Sequence, residues 1–79
     1  MKILTKEDVD FLIEEAQQTP HPHYVIAGVV LVCEKLEIDT TNLIENLKNS
    51  KHRLVDYFTV TDVIELIKNT LEATKKIKK

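Results

Sequence analysis

Few side chains in this sequence could do covalent or metal chemistry. They are one thiol, Cys33, three imidazoles, His21, His23 and His52, and acids in adjacent pairs such as Glu14 and Glu15. A nucleophile needs a base within reach, and that base needs an orienting partner. Ser50 and His52 stand too close in sequence to assemble such a geometry, and Cys33 closes an apolar run that predicts its burial. His21 and His23 lie two apart in the stretch PHPHY. Histidine is a common metal ligand, yet beside prolines at a helix start the two rings diverge, with no carboxylate or thiol next to them. The segment reads as a polar turn. One Cys and three His also offer no ligand pairs at zinc-finger spacing. Glu14 and Glu15 read as a solvated helical face. Gly28 is the sole glycine, so no glycine-rich loop can cradle a phosphate. The sequence predicts no enzyme, no metal and no cofactor, and leaves surfaces to carry the function.

Two surfaces stand out by charge. Residues 1–45 hold nine acidic and three basic side chains, whereas residues 46–79 hold four acidic and eight basic. In the first half, helical angles set Phe11 almost opposite Val9, Leu12, Ile13 and Ala16, among Glu7, Asp8, Glu14 and Glu15. Aromatic residues are enriched where partners bury surface, so an aromatic ringed by carboxylates predicts an anchor for a basic partner. In the second half, Lys48, Lys51, His52 and Arg53 in a connection, with Lys75 and Lys76 near the end, form the alternative, a phosphate-binding set. A single Arg is poor equipment for bidentate base readout.

Helices must position these residues. Leu4-Thr5-Lys6-Glu7-Asp8-Val9 reads as a helix start: Thr5 as N-cap, Asp8 reaching back to it, and Leu4 packing on Val9. Phe58, Thr59, Asp62 and Val63 repeat the pattern, and Ile38, Asp39, Asn42 and Leu43 give a looser copy. The predicted helices run from about Lys6 to Gln18, Pro22 to Glu37, Thr40 to Asn49 and Val60 to Lys75, with Leu54 to Phe58 either helical or extended. The inward set of the last is Val63, Ile64, Leu66, Ile67 and Leu71. The expected fold is all-α, a bundle of four or five short helices around a central apolar one. It forms a single domain over 1–74 with a basic tail over 75–79. The alternative is α+β with a small two-stranded element, its strands being Tyr24 to Val32 and Leu54 to Val60, where β-branched residues gather.

The central helix is the most informative element, because from Tyr24 to Cys33 it has no polar face. A helix apolar all round must be covered all round, and three short helices can hardly enclose a fourth. Self-association, a homodimer through Val25, Gly28, Val29 and Val32, is therefore expected. No apolar run approaches the roughly twenty residues of a membrane span, and "MKILTKEDVD" turns acidic before any signal-peptide core accumulates. Cytoplasmic localisation follows, and the excess of Lys over Arg suggests a low-GC bacterium or its phage as source. The expected function is a regulator or inhibitor that binds another protein through the acidic face. A nucleic-acid-binding accessory or a structural subunit of a larger assembly are the alternatives.

Overall fold

The echoed helix start works at its first occurrence. In the computed structural model, which describes residues 2–49 and 55–77 (76 and 77 by backbone alone), Thr5 is extended and its Oγ1 accepts the Asp8 N–H at 3.1 Å. Asp8 Oδ2 accepts the Thr5 N–H at 3.2 Å in return. Two donors that a helix start leaves orphaned are thereby satisfied. Leu4 packs against the core that contains Val9. Helix α1 then spans Lys6–Gln17 and buries Val9, Ile13 and Ala16, leaving Leu12 half-buried.

Pro22 opens α2, Pro22–Lys35, where its missing N–H costs nothing. The helix stops two residues short of the expected end. Leu36 caps it, and Glu37 takes a left-handed φ of 59° while its N–H donates to the Glu34 carbonyl. That conformation costs a non-glycine residue roughly 1–2 kcal/mol. It turns the chain into a two-residue strand, β2 (Ile38–Asp39), which pairs in parallel with β1 (Lys2–Ile3). Lys2 faces Ile38 and Ile3 faces Asp39, and α1 and α2 form the crossover that parallel pairing requires. A two-stranded element thus exists, but in neither segment the sequence suggested. Residues 24–32 are helical throughout and 57–60 begin a helix.

Helices α3, Thr41–Asn49, and α4, Tyr57–Ile77, complete the four helices of the described residues. Neither starts as the echo implied. The carbonyl of Thr40 accepts the first bond of α3, from Ile44 N–H, while Asp39 Oδ1 receives the Thr41 N–H at 2.9 Å and its hydroxyl. Asn42 does not reach back to a cap. Its Nδ2 donates to the Leu4 carbonyl at 2.7 Å and ties α3 to the end of β1. In α4 the capping residue is Asp56, whose carbonyl accepts from Val60 N–H and whose Oδ1 accepts from Phe58 N–H at 2.8 Å. Thr59 therefore sits inside the first turn. The earlier start brings the half-buried Tyr57 onto the core beside the fully buried Val55. It also satisfies the Asp56 N–H, which donates to His23 Nε2 at 3.1 Å.

The core is the meeting of Val9, Ile13 and Ala16 with Ile26, Ala27 and Val30, closed by Leu43, Leu47, Val55, Val60 and Val63. Helices α2 and α4 run side by side in the same direction, since His23 meets Asp56 at one end and Glu34 pairs with Lys68 at 3.2 Å at the other. Beyond Lys68, residues 69–77 of α4 continue for about 14 Å past the last turn of α2. This overhang explains why Leu71, one turn beyond the half-buried Ile67 on the inward stripe, is 55% exposed. Leu66, also expected inside, is exposed because it lies about 100° round the helix from that stripe. The radius of gyration is 13.2 Å, against about 11.6 Å for a compact chain of this length.

Two expectations follow from the caps. Thr5→Ala and Asp56→Ala each lower unfolding stability by about 1 kcal/mol, whereas Thr59→Ala changes it by less than about 0.5 kcal/mol, as for an ordinary surface position. Urea titrations rank the three, and a Thr59 effect equal to the other two would contradict the observed start of α4. The hydrogen bonds from Thr41 hold the Asp39 carboxyl below its ordinary value. Its contribution is therefore fully present above the unfolded carboxylate value and lost as pH falls through the lower folded one. Measured against Asp39→Ala, the wild-type advantage stays constant from neutral pH down to about pH 5 and shrinks below it.

Candidate functional site

Helix α1 displays the acidic face as an open surface. Phe11 is 62% exposed, and the side chains three and four positions to either side of it are Glu7, Asp8, Glu14 and Glu15, all exposed. Residues at those separations are surface neighbours on a helix, so one aromatic ring stands among four carboxylates. Asp8 divides its role, since one of its oxygens closes the capping box. Among the described residues the one ion pair joins Glu34 to Lys68, so the acids of α1 have no cationic partner there. On the flank towards α3, Asp10, Glu14, Gln17 and Asn46 rim an open cleft of about 270 Å³ with Ile13 at its floor.

Helix α2 offers a second surface of opposite character. Its buried side holds Ile26, Ala27, Val30 and Cys33. The far side leaves Tyr24, Val25, Val32 and Leu36 exposed, by 54, 36, 57 and 63%. Tyr24, Gly28, Val32 and Leu36 are spaced by four, which aligns them in one ridge of the kind that packs into a neighbouring helix. A Cβ built on Gly28 would meet no heavy atom within 4 Å beyond its own helix backbone and chain neighbours. Nothing inside the chain thus requires glycine at this position. Val29, expected on the self-association face, is half-buried and packs on the core. Leu36 and Tyr24, which the sequence reading passed over, stand in the ridge instead. The four-residue spacing was legible, but an all-round apolar run hid which side faced solvent.

Among the described residues, the basic side chains of the candidate set do not gather into one patch. Lys48 Nζ lies 5.1 Å from the centre of the Tyr57 ring, at the first turn of α4. Lys75 is eighteen residues further along the same helix, about 27 Å away, and Lys76 follows it, within the helical part of the expected tail. Lys51, His52 and Arg53 lie outside the described residues, as does Ser50.

Among the described residues, the side chains that could do chemistry stand apart from one another. His21 meets Tyr24 edge-on with ring centres 6.0 Å apart, and His23 Nε2 accepts the Asp56 N–H. The two imidazoles therefore serve different contacts. Among the described residues no three His, Cys, Asp or Glu side chains stand close enough to hold a metal ion. Cys33 is buried in α2, and loss of hydration pushes its thiol above the ordinary value. Less thiolate means a weaker nucleophile. No described helix is long and apolar enough to cross a membrane. Comparison with protein-family models, with curated proteins and with solved structures finds no match.

Proposed function

We propose that this chain is a non-enzymatic protein–protein interaction module of the cytoplasm, self-associating as a homodimer. In this reading it is a regulator or inhibitor that docks the acidic face of α1 on a basic partner. The observation that carries this reading is Phe11, a large apolar side chain held in solvent at 62% exposure inside a ring of carboxylates. Burying a phenylalanine is worth about 1.5–3 kcal/mol, which the free chain forgoes at this position. The carboxylates steer a cationic partner towards the face and set its register, while the ring supplies the affinity once water is excluded. The pairing of a polar rim with a central aromatic is the anatomy of a docking site rather than of a solvated helix.

The nucleic-acid reading has less behind it. Lys48 is engaged over Tyr57, and Lys75 stands at the other end of α4, so the described cations give no continuous track for a phosphate backbone.

The test is capture from a nuclease-treated lysate of the native host, with wild type, Phe11→Ala and a Glu14→Lys, Glu15→Lys double variant as baits. All three fold alike, because every altered side chain is exposed. Wild type retains a basic protein that Phe11→Ala loses by at least about 10-fold, and the charge-reversed bait loses it most strongly at low salt. Equal recovery by wild type and Phe11→Ala would remove the acidic face from consideration. Capture that depends on intact nucleic acid would favour the alternative.

A further inference from the structure

The ridge on α2 has a more definite occupant than an unspecified partner. We infer that α2 crosses α2 of a second copy at Gly28, with Tyr24, Val32 and Leu36 packed around the crossing. The inference rests on the self-association in the proposed function and specifies its seam.

Exposure is the first argument. Tyr24, Val32 and Leu36 keep 54, 57 and 63% of their surface in water, and fully burying an apolar side chain of this kind is worth about 1.5–3 kcal/mol.

Charge selects which surface meets itself. A two-fold dimer brings the same patch of both copies together. The α1 face cannot do this, because its carboxylates would meet carboxylates. The α4 overhang carries Glu72 and Lys75 along with Leu71. The ridge Tyr24, Gly28, Val32 and Leu36 holds no charged side chain, and Lys35, the cation beside it, stands in the last turn of α2, about 10 Å along the axis from Gly28.

Gly28 supplies the third argument. Glycine inside a helix costs about 1 kcal/mol relative to alanine, and the space around Gly28 would accept a side chain. The penalty has no structural reason within one copy. At a crossing of ridges spaced by four, near −50°, the missing side chain is what lets two backbones approach. Tyr24 and Val32, one turn to either side, then fill the grooves beside the contact.

Sedimentation equilibrium of wild type, Gly28→Gln, Val32→Gln and Leu71→Gln tests the seam. In a single copy all three altered positions face open space or solvent, and far-UV circular dichroism of dilute samples checks that the helices persist. Gly28→Gln and Val32→Gln weaken dimerisation by at least about 30-fold, the scale of an interface hot spot, while Leu71→Gln leaves it unchanged. Val32→Gln keeps the seam testable even where the glycine change alters the helix itself. A wild-type dimer indifferent to both ridge variants would overturn the seam and leave self-association standing. A wild-type chain that stays monomeric at about 100 µM, a concentration well above the dissociation constant of a stable interface, would overturn the seam and self-association together. The role of Phe11 would then rest on its own capture experiment.

Discussion

Coverage of α2 is the constraint on which the other elements depend. Its fourteen residues run Pro22–Lys35 with ten consecutive apolar positions, and each neighbour is placed where it can take part of that surface out of water. Helix α1 folds back on it through the short Gln18–His21 connection, α4 lies along it in the same direction, and β2 closes its C-terminal end. Ile26 and Ala27 are completely buried as a result, and Val30 nearly so. The described residues provide no further element for the remaining side. The exposed ridge is what is left uncovered when α1 and α4 are the helices that pack on the most apolar one. In small domains the buried fraction of the surface is low in any case.

Contacts at the two ends of this helix fix the register of the rest. At the start, His23 accepts the Asp56 N–H and so sets where α4 begins. At the end, Glu34 and Lys68 stand opposite each other, half-exposed, an ion pair whose worth is a few tenths of a kcal/mol. The first contact is the more consequential, because it aligns Tyr57 and Val60 with the core and carries the inward stripe on to Val63, Ile64 and Ile67. The N-terminal strand is held likewise from a distance, by Asn42 on the Leu4 carbonyl. Side chains that in isolation resemble metal ligands or cap residues act here as ties between elements far apart in sequence.

That division decides how much of the molecule was legible beforehand. The all-α core and the N-terminal capping box were readable, since the cap of α1 and the apolar stripes of α1 and α3 depend only on residues within about one turn of each other. The second and third copies of the capping phrase misled for the same reason. Asp62 follows Thr59 at the right spacing, but Asp56 lies three residues upstream, caps as well as Thr59 could, and allows Val55 and Tyr57 to pack. No local pattern contains that choice. Strands of two residues have no periodicity to read, so β1 and β2 were invisible. Helical spacing correctly put Leu71 on the inward stripe of α4 but carried no information on where α2 would end beneath it. Of the two exposed surfaces, Phe11 was legible because its exposure follows from helical angle alone. The side of α2 facing solvent was not, because every side of that run is apolar.

The two surfaces suit different tasks because their chemistry differs. An uncharged ridge gains free energy from exclusion of water, which salt does not screen as it screens charge, and such a surface suits contact between identical copies. A carboxylate-ringed aromatic repels its own copy, and attracts only a partner whose cations compensate the loss of hydration around Glu7, Glu14 and Glu15. In the proposed function, like charge would keep α1 from competing with α2 for the dimer contact, and the lack of acidic side chains along the ridge would keep α2 from recruiting the basic partner. A pair of copies joined at α2 would present two acidic faces from one particle. Two weak sites on one particle bind a repetitive or dimeric partner far more tightly than either alone, provided that the spacing lets both engage. In the proposed function the small size of the chain would limit the affinity of each face, and pairing would be the means by which affinity is recovered.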